Sequence, residues 1–323
     1  MKRISMLVAL VCLTAGVVQN AFAQNPNKVA ILRWYGANQV TTFLQAAGTE
    51  PYAAAFDGTN VWIANNGNGT VSVFRANDAL QLCTIAVGHS PTGLAYDGAN
   101  MWVANYGSGT VTKIKANTCT TTPVTTTYTV GGNPEAVAFD GKNIWVSNTG
   151  TKQVTEISTA GAVVRTVTVG SAPNGLAFDG TSMWVANQLD NTVTKISSTG
   201  ATTTYTTVGL YPAYLAYDGT YIWISNQGGA SGSGVTKILA ADGSLQAQST
   251  TGFFHPAAIV YDGANIWLVD ESSLIEVQDA PGSTITILGT YSAGPGANGL
   301  AFDGANLWVA IQGGSPGGSV GKF

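Results

Sequence analysis

One phrase, repeated seven times, constrains the fold of this chain more than any other feature. Each copy has an apolar pair, Asp-Gly, three further residues and then a Trp within an apolar run. The Asp residues of successive copies are 40, 43, 39, 39, 44 and 41 residues apart. A period of about 40 residues is typical of proteins that repeat one small structural unit. The seven Asp residues are Asp57, Asp97, Asp140, Asp179, Asp218, Asp262 and Asp303.

Each repeat predicts four short strands. In the fourth copy, residues 174–178 form an apolar run that ends at the Asp-Gly turn, and residues 183–186 form a second run. Residues 192–196 alternate between apolar and polar side chains, and residues 202–208 are rich in threonine, which favours strands. Helical periodicity of comparable strength appears nowhere after residue 23. The class is therefore predicted to be all-β, and each repeat is a four-stranded antiparallel blade with strands A to D.

Seven blades fit a closed ring. A single four-stranded sheet with two apolar faces cannot bury itself, whereas sheets packed face to face around an axis can. We predict a seven-bladed β-propeller that forms a single domain over residues 24–323. The N-terminal segment is expected to close the ring: residues 320–323 supply strand C of the last blade, and residues 40–46 supply its strand D. Residues 29–34 also resemble a strand C, and the sequence leaves open which copy occupies that place.

The N-terminus has the pattern of a secretory signal peptide. Lys2 and Arg3 precede an apolar stretch, and Ala21-Phe22-Ala23 has small residues where a signal peptidase requires them. Residues 1–23 are predicted to be removed after Ala23, which leaves a secreted or periplasmic protein. No second long apolar run follows in the sequence, so we expect no membrane span.

Charge limits the class of partner. The chain has 13 Lys and Arg against 17 Asp and Glu, a net charge of −4. Removal of Lys2 and Arg3 with the signal peptide would bring the net charge to −6. Nucleic-acid binding needs clustered cations, which a chain with this balance does not provide. We expect no nucleic-acid partner, and a protein, a glycan or a small molecule stays open as the ligand.

Export determines which cysteines remain in the protein and whether they can form a disulfide. Cys12 lies in the predicted signal peptide, so the exported chain keeps Cys83 and Cys119. An even pair of cysteines in an oxidising compartment usually forms a disulfide. The repeat alignment places Cys83 on the outer strand of one blade and Cys119 in the outer turn of the next. We therefore predict a disulfide between neighbouring blade edges.

The residues that recur in every blade have structural explanations. Asp before Gly stabilises a turn by bonding its own backbone, while the Gly adopts a positive φ. A large Trp ring at one strand position fills the wedge between blades. An Asn that closes strand B ties down the adjacent B-to-C loop. A ring of metal-binding Asp carboxylates and a ligand funnel lined by Asn amides are the less economical alternatives. The five Asn residues are Asn65, Asn105, Asn148, Asn187 and Asn226.

Departures from the repeat are better candidates for function, because binding residues favour loops on a rigid scaffold. The D-to-A and B-to-C loops share one face of a propeller, and most departures fall in the last three blades. Blades 5 and 7 have long B-to-C loops, 227–234 and 312–319. Blade 6 shortens this loop and replaces the recurring Asn with Asp270, followed by Glu271.

Blade 6 also differs on the approach to its strand A, where Phe253 and Phe254 precede His255. An imidazole near the carboxylates of Asp270 and Glu271 would suit general acid–base chemistry or a divalent cation. The simpler alternative is a histidine that caps a loop, with both carboxylates solvated.

Other side chains on this face are candidate contacts for a ligand or partner. Glu135 follows Pro134 in blade 3 and is expected to point toward the channel axis, across the ring from blade 6. The aromatic residues offer large contact areas for a partner. The candidates are Tyr211, Tyr214, Phe253, Phe254, His89 and Glu135.

The repeat pattern resembles the extracytoplasmic propellers with YVTN-type or NHL-type repeats. The resemblance rests on a Gly-x-x-Pro approach, Ala-Phe-Asp-Gly, Trp-Val-Ala-Asn and Thr-Val-Thr-Lys-Ile, all present in 170–196, and it covers residues 28–323. The sequence is similar, more loosely, to streptogramin lyase propellers. The resemblance implies a propeller but not an activity, since such propellers include enzymes, ligand binders and interaction scaffolds.

Two functional hypotheses follow. The first is an exported, non-catalytic module that binds a ligand or protein on the loop face near blades 5 to 7, without a cofactor. The second is an enzyme resembling streptogramin lyases or lactone-acting hydrolases, in which His255 with Asp270 or Glu271 supplies the acid–base group and a divalent cation takes part. The lyase repeats end strand B in an acid, unlike most repeats here, so no lyase catalytic residue is carried over. A His-rich zinc or copper site is excluded, because the chain has two histidines.

Overall fold

Seven four-stranded antiparallel sheets form a ring in the computed structural model, which confirms the predicted seven-bladed β-propeller. The structure describes residues 41–44, 50–119, 123–206, 208–228, 232–313 and 317–323. The predicted signal peptide and the alternative strand C at 29–34 lie outside the described residues. Among the described residues, no helix is long and apolar enough to cross a membrane.

The strands of each blade run outward in the order A, B, C and D. Strand A, beside the axis, is Pro51–Phe56, Pro91–Tyr96, Pro134–Phe139, Pro173–Phe178, Pro212–Tyr217, Pro256–Tyr261 and Ala297–Phe302 in blades 1 to 7. Strand B is Asn60–Asn65, Asn100–Asn105, Asn143–Asn148, Met183–Asn187, Tyr221–Gln227, Asn265–Asp270 and Leu307–Ile311. Strand C is Thr70–Arg75, Thr110–Lys115, Gln153–Ser158, Thr192–Ile196, Ser233–Leu239, Ser273–Gln278 and Ser319–Lys322. Strand D is Gln81–Ala86, Thr125–Thr129, Val163–Thr168, Thr202–Tyr205, Leu245–Ser249, Ile287–Ser292 and Thr41–Leu44. Short 3-10 turns follow strand B in blades 1 and 2, at Asn66–Asn68 and Tyr106–Ser108.

The ring is closed by a strand from the N-terminal segment, as the sequence predicts. Thr41–Leu44 pairs antiparallel with Ser319–Lys322, with Thr41 opposite Lys322 and Leu44 opposite Ser319. The C-terminal copy therefore occupies the place of strand C in blade 7. Blade 7 is built from two segments that are distant in sequence, whereas every other blade is continuous.

The recurring Asp residues stabilise turns, as predicted, and each also binds the Trp of its own blade. In every blade one carboxylate oxygen, Oδ1, accepts hydrogen bonds of 2.6–2.9 Å from the backbone N–H groups two and three residues later. The other oxygen accepts the indole Nε1–H of the Trp five residues later, at 2.5–2.8 Å. Each Trp ring is buried, and a buried N–H needs an acceptor. The Asp carboxylate supplies that acceptor.

The Trp rings fill the space between blades, as predicted. Trp62 of blade 1 packs in one core cluster with Met101 and Val103 of blade 2. Trp102 of blade 2 packs in the same way with Ile144 and Val146 of blade 3. The core is therefore a series of wedges between adjacent sheets rather than one central mass.

A basic side chain crosses from one blade to the next at five of the seven interfaces. In four blades a lysine on strand C pairs with the Trp of strand B and lies 4.9–5.3 Å from the centre of its ring, within the range of a cation–π interaction. Each lysine Nζ donates a hydrogen bond of 2.5–2.7 Å to a backbone carbonyl after strand C of the next blade. These lysines are Lys113, Lys195, Lys237 and Lys322. In blade 3 strand C carries Glu156 instead, and Arg165 of strand D lies over Trp145 and donates to the Ser198 carbonyl of blade 4.

The interface between blades 1 and 2 has a disulfide in place of the cation. Val73 occupies the position of the lysine, and Cys83 pairs with it as Arg165 pairs with Glu156. Cys83 is bonded to Cys119 of blade 2, with 5.6 Å between their Cα atoms. The bridge lies between adjacent blade edges, where the repeat alignment puts the two cysteines.

We expect Asp179→Ala to lower the free energy of unfolding by about 1–3 kcal/mol, because it leaves the buried indole N–H of Trp184 without its acceptor. It also removes the turn bonds to residues 181 and 182 and a contact of 3.6 Å with Lys195 Nζ. Urea denaturation measures the change. The matched control is Asp242→Ala: Asp242 is an exposed turn residue whose carboxylate accepts the Ser244 backbone N–H and contacts no Trp. Equal shifts of the urea midpoint in the two variants would contradict the structural role of the Asp–Trp bond.

Candidate functional site

The side chains at the centre of the ring are aimed by an irregularity that all seven blades share. The pairing of strands A and B shifts register directly after the first residue of strand A. Such bulges redirect side chains, and here they turn the residues that follow toward the channel. The first residue is proline in six blades and Ala297 in blade 7.

A cavity of about 530 Å³ occupies the mouth of the channel on the face of the D-to-A and B-to-C loops, and residues from all seven blades line it. Its wall is rich in carboxamide and phenol groups, and two acids and one imidazole complete the titratable set. No lysine or arginine is among the described residues of the lining. The polar lining side chains are Asn174, Gln188, Gln227, Asn298, Gln312, Tyr52, Tyr106, Tyr214, Thr149, Glu135, Glu271 and His255.

A smaller cavity of about 150 Å³ lies deeper in the channel and has a mainly aliphatic wall. Four side chains line both cavities: Tyr52, Glu135, Asn174 and Tyr214. They lie at the boundary between the polar mouth and the apolar part of the channel, and we call this four-residue boundary the constriction.

Glu135 lies with the phenols of Tyr52 and Tyr214 at this constriction. The Tyr52 hydroxyl donates a hydrogen bond to Glu135 Oε1 at 3.3 Å. Burial raises the pKa of Glu135 to about 7, although the bond from Tyr52 acts in the opposite direction. Burial, together with the charge of Glu135, raises the pKa of Tyr52 to about 12, and burial holds the pKa of Tyr214 well above its ordinary value. Near neutral pH the carboxyl group is thus divided between its two forms while both phenols keep their protons.

Asp270 is occupied by the loop that precedes its blade. One carboxylate oxygen accepts the backbone N–H of Phe254 at 2.8 Å, and the other accepts that of His255 at 2.5 Å. Asn105 and Asn187 accept backbone N–H groups in the same way from Gly88 and Gly170. Asp270 is 3% exposed and does not line the mouth cavity. Its oxygens therefore fix the D-to-A loop of blade 6.

His255 and Glu271 are exposed and line the mouth cavity together with Glu135 and Tyr214. Among the residues that the structure describes, no group of three His, Cys, Asp or Glu side chains is placed to hold a metal ion. The structure thus brings four of the sequence-predicted residues into one cavity, without assembling a metal centre from them.

The other predicted contacts lie outside this cavity. Phe253 is 6% exposed and packs in the core between blades 5 and 6, so its ring is not available as a surface anchor. Phe254 and Tyr211 are 73% and 45% exposed on the rim. His89 is exposed, and its backbone N–H donates to Ser108 Oγ at 2.7 Å.

The five Asn residues at the end of strand B are structural, as predicted. Each is buried, and its amide Nδ2 donates a hydrogen bond of 2.8–2.9 Å to a hydroxyl on strand C. They tie the ends of the B-to-C loop and do not line the channel mouth.

Sequence reasoning missed Tyr52, Asn174 and Asn298. A usable signal was present for two of them: Tyr52 follows Pro51 and Asn174 follows Pro173, the position from which Glu135 was expected to face the axis. Asn298 follows Ala297, so the proline signal is absent in blade 7. The hydrogen bond between Tyr52 and Glu135 spans 83 residues and has no local signature.

Comparison with known proteins supports the fold and leaves the family open. No family model matches the chain, and no curated protein matches it. A streptogramin B lyase structure matches with a TM-score of 0.70 and 17% identity, over 88% of this chain and 96% of that one. A catalytically inactive virginiamycin B lyase from Staphylococcus aureus, solved with quinupristin, matches at 0.71 and 17%, over 88% and 99%. The RRP9 WD40 repeats match at 0.75 and 14%, over 88% and 97%. At these identities the likeness concerns the propeller fold, which enzymes and WD40 repeats share.

We expect the stability of the protein to fall as pH rises from about 5 to about 8, through the titration of Glu135. Its folded pKa, about 7, lies above the ordinary 4.5, so the folded state holds this proton where the unfolded state has lost it. The resulting stabilisation is present at low pH and is lost as pH rises through the folded pKa. Thermal unfolding should show a smaller decline in Glu135→Gln than in the wild type.

The control for this titration is Glu50→Gln, which makes the same change at an exposed carboxylate outside both cavities. Its unfolding temperature should follow that of the wild type at every pH. A Glu135→Gln profile that is parallel to the wild-type profile would show that Glu135 does not titrate in this range.

Proposed function

We propose that this protein is an exported propeller that binds a polar organic ligand at the mouth of its central channel, without catalysing a reaction. The observation that carries the proposal is the cavity of about 530 Å³ on the channel axis, lined by residues from all seven blades. This volume lies in the range of small-molecule sites, about 300–1,000 Å³. The rigid blades and the bonded loop ends hold the lining groups in place before a ligand arrives.

The chemistry of the wall limits the class of ligand. Carboxamides both donate and accept hydrogen bonds, and phenol rings offer flat apolar faces with a polar edge. With Glu135 and Glu271 in the described lining and no lysine or arginine, the cavity favours a neutral or cationic ligand over an anion. Tyr211 and Phe254 on the rim would extend the contact surface for a larger ligand such as a glycan or a peptide.

Export is part of the proposal. The signal-like segment 1–23 and the disulfide between Cys83 and Cys119 both suit an oxidising compartment outside the cytoplasm. The resemblance to extracytoplasmic YVTN-type and NHL-type propellers agrees with this setting.

The proposal is tested by blocking the cavity. The protein is screened by thermal shift against mono- to trisaccharides, dipeptides, amino acids and polyamines. At least one compound should raise the unfolding temperature of the wild type, and Gln227→Trp, which fills part of the mouth, should abolish that shift. The matched control is Thr203→Trp on the exposed outer strand of blade 4, which should retain it. A shift that persists in Gln227→Trp, or a screen without any stabilising compound, would count against the channel mouth as the binding site.

A lyase-type activity is the second candidate. It is favoured by the presence of Glu135, His255 and Glu271 in one cavity and by the likeness of the fold to streptogramin lyases. The assay is conversion of quinupristin, followed by liquid chromatography. We expect quinupristin to stay unchanged, since Asp270 is engaged by backbone amides and the described residues form no metal cluster. Conversion by the wild type that is lost in His255→Ala would instead establish the enzyme.

A further inference from the structure

We propose that the constriction formed by Tyr52, Glu135, Asn174 and Tyr214 binds the primary ammonium group of an organic cation, while the rest of that ligand lies in the mouth cavity. The inference rests on the proposed function and specifies it, because it names the ligand group that is recognised at the boundary between the two cavities.

Asn174 contributes an unpaired hydrogen-bond acceptor to the constriction. The Oδ1 atom of Asn174 is buried and has no hydrogen-bond partner in the structure. Buried acceptors are nearly always paired, and an unpaired one at a binding site calls for a donor from the ligand. Asn174 lines both cavities, so its side chain meets a ligand group that enters from the mouth. On binding, rotation of the Asn174 amide brings Oδ1 to that group.

The charge at the constriction favours a cation. Glu135 accepts a hydrogen bond from the neutral Tyr52 hydroxyl, and no lysine or arginine lines either cavity among the described residues. A half-buried carboxylate without a basic neighbour favours a cation from outside. The phenol rings of Tyr52 and Tyr214 add oxygen acceptors, and their π faces also attract cations.

The donor count selects a primary ammonium among the cations. Its three N–H groups match three kinds of acceptor at the constriction: the Glu135 carboxylate, Asn174 Oδ1 and a phenol oxygen. A quaternary ammonium carries charge but leaves Asn174 unpaired. A divalent metal ion prefers several carboxylate or carbonyl oxygens, and the constriction offers one carboxylate.

Binding should depend on pH through Glu135. The titratable groups that face it are Tyr52 and Tyr214, from strands A of blades 1 and 5, with His255 and Glu271 farther out in the same cavity. The two phenols keep their protons throughout the range. Burial raises the pKa of Glu135 to about 7, so the carboxylate form, and with it the attraction for ammonium, increases as pH rises through neutrality.

The test uses three probes that share one ring: benzylamine, benzyltrimethylammonium and benzyl alcohol. Binding to the full chain is measured by ligand-observed NMR at about pH 5.5 and about pH 8. We expect benzylamine to bind about tenfold more tightly at the higher pH, and more tightly than either analogue. In Glu135→Gln its affinity should fall about tenfold at pH 8, the factor that corresponds to one charge-assisted hydrogen bond.

Further variants separate Glu135 from its neighbours. Asn174→Leu, which keeps the carboxylate but removes the unpaired acceptor, should weaken benzylamine binding several-fold. His255→Ala should keep the pH dependence, because the pH dependence comes from Glu135. Glu50→Gln should bind as the wild type does, since Glu50 lies outside both cavities.

Three results would overturn the inference: equal binding of benzyl alcohol and benzylamine, unchanged benzylamine binding in Glu135→Gln, or displacement of benzylamine by K⁺ at equal concentration. Its failure is distinguishable from failure of the proposed function. A neutral saccharide or peptide that is bound by the wild type and lost in Gln227→Trp would keep the channel-mouth site while removing the ammonium from it.

Discussion

The hydrogen bond from each Trp indole to the Asp five residues earlier is the interaction on which the ring depends. Wedges between sheets need a large ring, but an indole brings an N–H that cannot be buried without an acceptor. The Asp meets this requirement with one oxygen and binds the A-to-B turn with the other, as in Asp57 with Trp62. A single carboxylate thereby connects the turn, the strand and the inter-blade core. Because this connection recurs in seven blades, strand A is held at the same place beside the axis in each of them.

Farther from the axis, the blades are joined by contacts that differ in chemistry and agree in position. Lysines on strand C, an arginine on strand D and one disulfide all link a blade to the segment after strand C of the next. Where strand C carries Glu156 the arginine comes from strand D, and where it carries Val73 the cysteine does. In both blades the residue of strand D that lies opposite the changed residue of strand C makes the contact with the next blade. These contacts join neighbouring blades at six of the seven interfaces; at the interface between blades 6 and 7, strand C carries Glu276 and the residue opposite it is Gly289.

The sequence predicts the parts of the structure that repeat locally. Turn chemistry at Asp-Gly, the wedge position of Trp and the loop-tying Asn all depend on residues a few positions apart, and repetition makes each signal visible seven times. Closure by Thr41–Leu44 is predictable because a seventh blade that lacks its strand D requires a donor. The candidate site is harder to predict from the sequence. Glu135 is found through its position after proline, but its contact with Tyr52 joins blades whose spacing only the closed ring defines. Because Asp270 replaces the recurring Asn, the sequence suggests a role in acid–base chemistry. In the structure its oxygens instead bind the backbone of the preceding loop, as the Asn side chains do in other blades. Phe253 and Phe254 are adjacent and alike in type, and only packing decides that the first ring is buried and the second exposed.

Blade 7 also sets the order in which the molecule can be completed. Its outermost strand, Thr41–Leu44, is synthesised before every other strand of the ring, and the partner of that strand, Ser319–Lys322, is synthesised last. Each of the other six blades is continuous in sequence, but the first strand has no partner until the last one is available. The channel, and any site that needs all seven walls, therefore comes into existence only after translation of the ring has finished.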